Sequence, residues 1–283
     1  MRNSRRSTSR RAASSTRIPA AGSALEAVLR RDRLVVIAAL AALALLSWAY
    51  IGWLAASPMD HEASVDVSGE MAMASAGFGR WSAVQFLATL LMWTVMMIGM
   101  MTPSVAPMIL VYSGVARQAS SSGAAFASSG WFALGYFLAW IFFALLATLL
   151  QWALERALLL TPMTAQVGSS LGGAFLIAAG LYQWTPLKEA CLSQCQSPFA
   201  FIQSHGGFRG TSGASTALGL RHGAYCLGCC WALMVLLFVA GVMNLLWIAA
   251  IGALVLAEKL IPGRLFRRVT GSALVAAGIA LLA

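Results

Sequence analysis

Apolar runs of about 18 residues or more recur along almost the whole chain, broken only by short polar stretches, and that length wound as helix spans roughly 30 Å of hydrocarbon. Composition agrees: 60% of the 283 residues are hydrophobic and 10% charged, against about 25% charged in soluble domains. A water-soluble fold has no interior large enough to hide such runs. The chain therefore reads as an all-α, polytopic helical membrane protein. Apolar segments at 34–55, 83–111, 130–151, 167–187, 223–241, 244–261 and 269–283 predict about 7 transmembrane helices, the last short enough to lie in the interface. The uncharged stretch from Gly223 to Ala257 exceeds one span, and Gly241-Val242-Met243-Asn244 is where it turns.

Basic residues orient these spans, because cytoplasmic segments retain Lys and Arg. With the N-terminus inside, the inner segments hold nine Arg before Leu34, then Arg117, Lys188, Arg209, Arg221, Lys259, Arg264, Arg267 and Arg268, or 17 of the 19 basic residues. Only Arg80 and Arg156 fall outside, where Asp60, Glu62, Asp66 and Glu70 collect. The reading is a disordered basic cytosolic tail at 1–33 and a helical transmembrane domain at 34–283. The latter includes an extracytoplasmic loop at 56–80 and a cytoplasmic, cysteine-bearing loop at 188–222. Arg5-Arg6 resembles a twin-arginine signal, but the first apolar run begins only at Leu34 and is long for a signal segment. The net charge of +10 sits mostly beside a span, so the expected partner is anionic lipid and no nucleic acid. A bacterial cell inner membrane is the simplest location.

All five cysteines then face the reducing side, where structural disulfides are rare and metal ligation, redox chemistry or packing remain. Cys226, Cys229 and Cys230 stand at i, i+3 and i+4, so one helix face carries all three, with His222 and Met234 extending it a turn each way. Cys191 and Cys195 are also one turn apart, between Pro186 and Pro198. A lone membrane cysteine is most simply a small apolar residue; two turn-spaced clusters suit copper(I), zinc or an iron–sulfur centre.

The second span discriminates among these metals. Met96 pairs with Met100 and Met97 with Met101 at i, i+4. Thioether is a poor zinc ligand but a good copper(I) ligand, and it binds without deprotonation in lipid. The competing reading is packing by flexible side chains. Pro103 and Pro107 are expected to free backbone carbonyls that line a cavity. In the outer loop, Met59, Asp60, His61 and Glu62, with Met71 and Met73, offer mixed donors or a plain solvated acidic surface. Glu155 with Arg156 reads as a surface pair, and His205 as solvated.

Three blocks carry a resemblance: Trp93-x2-Met96-x3-Met100-Met101-x-Pro103-Ser104, Thr185-Pro186-Leu187-Lys188-x2-Cys191-Leu192-x2-Cys195-x2-Pro198, and Gly223-x-Tyr225-Cys226-x-Gly228-Cys229-Cys230-Trp231-x-Leu233-Met234. Together they resemble a bacterial family of integral membrane proteins described as metal-binding, from about Trp81 to the C-terminus. The resemblance implies metal handling, with copper delivery to secreted or membrane copper proteins as the suggested use, and no established catalysis. Members often carry His and Arg in the middle block, where this chain has Gln194 and Gln196. That departure weakens the Cys191/Cys195 site more than the Cys226 column.

The leading expectation is thus a non-enzymatic membrane metallochaperone. Cys191, Cys195, Cys226, Cys229 and Cys230 take copper(I), with zinc as the other metal that thiolates accept. Met96, Met97, Met100 and Met101 relay it toward a copper-accepting partner protein. No nucleotide-binding loop or aspartyl-phosphate motif is legible. Two other classes stay open: a membrane thiol oxidoreductase using Cys226 and Cys229, and a non-catalytic subunit of a membrane complex. Oligomeric state is not readable from the sequence.

Overall fold

The structure, a computed structural model, describes residues 21–56, 81–121, 129–161, 165–206 and 211–283. The outer-loop donors Met59, Asp60, His61, Glu62, Met71 and Met73 lie outside the described residues, as does the chain before Ala21.

Helices account for nearly all of it: α1 (Ala21–Ala56), α2 (Ala83–Ser121), α3 (Ser129–Arg156), α4 (Ser169–Tyr182), α5 (Pro186–Gln196), α6 (Pro198–Ser204), α7 (Ser212–Val235, continued by a 3-10 turn at Leu236–Phe238), α8 (Leu245–Leu260) and α9 (Arg264–Leu282). A two-residue ladder, Leu160–Thr161 against Gln166–Val167, links α3 to α4. The boundaries follow local chemistry. Thr185 caps α5, accepting from Lys188 N at 3.3 Å, with Pro186 in the first turn where its missing N–H costs nothing. Pro198 ends α5 and opens α6. The chain turns at Gly241, whose φ is 92°, and Asn244 then caps α8 by accepting from Trp247 N at 3.1 Å.

Five helices are long and apolar enough to cross a membrane: Leu34–Ala56, Ala83–Ala116, Ser129–Arg156, Ser212–Phe238 and Arg264–Leu282. The seven expected spans are therefore not all matched. The fourth and sixth correspond to α4, with 14 residues, and α8, with 16. At 1.5 Å per residue these reach only about 21 and 24 Å. The polar caps at Gln183–Thr185 and Asn244, and Pro262-Gly263 after α8, cut them short. The segment 188–222, read as a loop, carries α5, α6 and the first turns of α7, and α1 starts inside the stretch read as tail. The prolines do not line the expected cavity: α2 runs through Pro103 and Pro107, and both are exposed.

Two close helix pairs set the frame. In α3 and α7, a Cβ at Gly223 would fall 2.6 Å from Ala139 Cβ and 2.9 Å from Tyr136 O, so only glycine lets the backbones meet there. In α4 and α9, a Cβ at Gly180 would fall 2.7 Å from Gly271 O. Helix α1 lies on α2, α2 on α3, and α5 lies across α7.

Candidate metal centre

The buried face of α7 repeats every three or four residues through Ser215, Gly219, His222, Cys226, Cys229, Cys230, Leu233 and Met234. It is the face the sequence spacing assigns to the cysteine column, and it is buried because Gly219 and Gly223 let α3 close against it. That contact brings Tyr136 to Cys226, with the hydroxyl 3.1 Å from Sγ. From the end of α8, Lys259 Nζ donates to the same sulfur at 2.9 Å. From α5, the Cys195 thiol lies within hydrogen-bonding reach of Cys226 and Cys229. Those bonds, with burial adding to them, push the Cys195 pKa well above the ordinary thiol value. Cys195 is thereby held as an S–H donor.

The other thiols are tied to the helix itself. Cys229 Sγ and Cys230 Sγ both donate to the Cys226 carbonyl, at 3.0 and 2.9 Å. Cys191 rests over Gly228, where a Cβ would come 2.8 Å from its sulfur, and burial raises its pKa. Tyr182 donates its hydroxyl to Gly228 O, fixing the same turn. Among the described residues, no group of three or more His, Cys, Asp or Glu side chains stands in a metal-holding arrangement. The sulfurs are gathered, but hydrogen bonds rather than coordination set their directions.

His222, one turn before Cys226, is buried with Nδ1 unpartnered. Its ring sits among Phe201, Tyr136 and Phe132, with centroids at 4.9, 5.8 and 5.9 Å. Met96, Met97, Met100, Met101 and Met234 are all buried and belong to the same continuous apolar core as the thiols. Met100 packs on α8, its Cε 3.6 Å from where a Cβ at Gly252 would be. Gly252 precedes Lys259 by two helical turns on one face, a rise of about 10 Å.

Sequence reasoning missed the polar groups around the cysteines. Tyr136 looked like one aromatic in an apolar helix, and Lys259 was only a topology marker. Glu258 was not singled out, yet it is buried and takes Lys188 Nζ at 2.6 Å and Gln183 Nε2 at 2.7 Å. Gln196 Nε2 donates to its carbonyl at 2.8 Å. Adjacent α8 residues thus point to different tasks: Glu258 neutralises Lys188, and Lys259 faces the sulfurs. A Glu-Lys pair at the end of an apolar helix was the available signal, since charges at such depth need partners.

Two minor expectations are corrected. Glu155 does not pair with Arg156; its oxygens accept from Trp81 Nε1 at 2.7 Å and Gln151 Nε2 at 3.0 Å, while Arg156 lies over the Trp152 ring. His205 is held, with Nδ1 2.9 Å from Phe201 O and its ring 4.4 Å from that of Phe201.

Fold and site together define an all-helical protein with soft sulfur donors gathered against one lysine. The chain belongs to a copper chaperone family, PpoB2, whose model matches residues 90–281. No curated protein and no solved structure matches it. The matched region contains every cysteine and all four methionines of the α2 stripe.

Proposed function

We propose that this chain is a multi-pass protein of the bacterial inner membrane, N-terminus inside, that holds copper(I) as cargo on Cys226 and neighbouring thiols and passes it to a partner protein. The observation that carries this reading is that Cys226, Cys229 and Cys230 share one buried helix face, with Cys195 beside them and Lys259 Nζ 2.9 Å from Cys226 Sγ. Charge decides the metal. When two thiols ligate one Cu(I), two protons leave and the bis-thiolate complex carries one negative charge, which the Lys259 ammonium balances. A zinc tetrathiolate carries two, and one lysine leaves half of that uncompensated in a low-dielectric site. Lys188 is no help, because Glu258 already neutralises it.

Loading requires the Cys229 and Cys230 side chains to leave the Cys226 carbonyl and turn their sulfurs toward the metal. Each S–H···O bond is weak, so the exchange is cheap beside a metal–thiolate bond. His222 Nδ1, one turn away, is a further donor. Release toward Met100 and the α2 stripe proceeds by ligand exchange, thiolate to thioether, with copper never free. A redox role for Cys226 and Cys229 is less well supported: both sulfurs are buried from any partner disulfide, and attack needs an accessible thiolate.

The test is copper(I) titration of the detergent-purified chain under reducing, anaerobic conditions against a chromophoric chelator. Wild type is expected to outcompete the chelator for one Cu(I). The triple change Cys226→Ser, Cys229→Ser and Cys230→Ser should lose that ability, and wild-type copper retention by the triple variant would refute the assignment.

A further inference from the structure

A second site, lined by none of the thiols, opens where α4 ends and α5 and α9 begin. A cavity of about 570 Å3 is lined there by Gln183, Trp184, Glu189, Arg264, Arg267 and Arg268, among others. Three arginines share this cavity with one carboxylate, and two of them reach it. Glu189 accepts from Arg264 Nε at 2.8 Å and pairs with Arg267 Nη2 at 3.4 Å, and the Arg264 bond holds its carboxyl below the ordinary range. One carboxylate against three arginines leaves an excess of two positive charges. Helix α9 starts in the same place with Gly263 as its cap and no side-chain acceptor on its first N–H groups, so its positive end adds to the field. Trp184 is tied to α9 by its indole N–H, which donates to Arg268 O at 3.4 Å.

An independent observation shows that more than charge is built here. Gln183 is 1% exposed, its Nε2 is committed to Glu258, and its Oε1 is buried with no hydrogen-bond partner. A buried acceptor of this kind costs free energy unless a donor reaches it. An anion alone cannot supply that donor.

We propose that this cavity binds the headgroup of an anionic phospholipid, a phosphate ester that also carries a hydroxyl or ammonium donor. Arg264 and Arg268 take the phosphate oxygens, the fork of each guanidinium matching two oxygens at once. Gln183 Oε1 accepts from the headgroup donor. A lipid fits better than a soluble phosphate because Leu187, Leu265 and Val269, next in sequence to Pro186, Arg264 and Arg268, are exposed by 61%, 76% and 59%. Acyl chains cover exposed apolar side chains of this kind near the headgroup, whereas a soluble ligand leaves them in water. In the seven-span, N-terminus-inside orientation expected from the sequence, the site lies on the side that holds 17 of the 19 basic residues, the side that faces anionic lipid. It rests on the membrane reading and is independent of the copper reading.

The test is native mass spectrometry of the full chain released from detergent, with phosphatidylglycerol, phosphatidylcholine or glycerol 3-phosphate added. Wild type is expected to retain one phosphatidylglycerol at least tenfold more than phosphatidylcholine. Arg264→Gln with Arg268→Gln should abolish the preference. Both side chains are exposed, and size-exclusion and circular-dichroism profiles should match wild type. Arg264→Lys with Arg268→Lys should restore part of the preference by charge alone. Equal retention of the two lipids, or an unchanged preference in the Gln pair, overturns the proposal. Saturable binding of glycerol 3-phosphate without phosphatidylglycerol overturns the lipid source.

Discussion

Cys226, Cys229 and Cys230 are as buried as the methionine stripe, yet the two groups are held in different ways. Cys226 has directional partners: a lysine, a tyrosine, another thiol and two S–H donors on its own carbonyl. Met96, Met97, Met100 and Met101 lie in the apolar core, Met100 packing on α8, and the polar bonds near them belong to other side chains, such as Trp93 Nε1 to Gln151 Oε1 at 2.9 Å. A thiol site is organised by electrostatics and fails when charge is removed. A thioether row is organised by volume and tolerates any side chain of similar shape, so its ligand role has to be read from copper binding and not from stability.

The sharpest break comes at Lys188. Lys188→Met strands Glu258 as a buried charge, so unfolding measurements in detergent should show a loss of about 3–5 kcal/mol. Adding Glu258→Leu should recover most of it. If the single variant is as stable as wild type, the ion pair does not organise this end of α8, and the contrast between the two regions narrows.

Lys259→Met comes next. Its stability cost should be smaller, because Lys259 is only partly buried, but the bis-thiolate complex loses its countercharge. Copper(I) affinity should fall by about tenfold or more, since a pair of unit charges 4 Å apart interacts with about 4 kcal/mol at an effective dielectric of 20 before relaxation. Lys259→Arg should hold affinity closer to wild type. Chelator competition on both variants reads this directly. Equal copper affinity for Met and Arg at 259 would remove charge balance as the basis of metal choice.

The smallest structural effect belongs to the stripe. Met96→Leu with Met100→Leu keeps volume nearly constant, and stability should change by less than about 1.5 kcal/mol. Copper occupancy of the thiols should survive, while transfer to an acceptor peptide in stopped-flow mixing should slow. An unchanged transfer rate would reduce the stripe to packing and erase the functional half of the comparison.

Much of this architecture is written locally. The i, i+3, i+4 spacing of Cys226, Cys229 and Cys230 places them on one helix face wherever α7 packs, and the Met pairs of α2 follow the same rule. Thr185-Pro186, Pro198 and Asn244 mark boundaries by capping and by the missing proline N–H. What misled the reading was also local: Pro103 and Pro107 suggest carbonyls freed toward a cavity, but α2 carries both on its exposed side. Apolarity alone suggested full spans at α4 and α8, where caps and turns leave the helices short.

The sequence by itself determined which residues share a face, since helical periodicity is a property of the chain, and it determined the apolar character and the lopsided charge. Tertiary structure alone decided who meets whom. Tyr136 reaches Cys226 across 90 residues, Lys259 across 33, and Lys188 finds Glu258 across 70. No local pattern encodes such pairings. They arise because glycines let α3 close on α7 and because the turn at Gly241 folds α8 back along them, and a buried charge must end where its counterpart is.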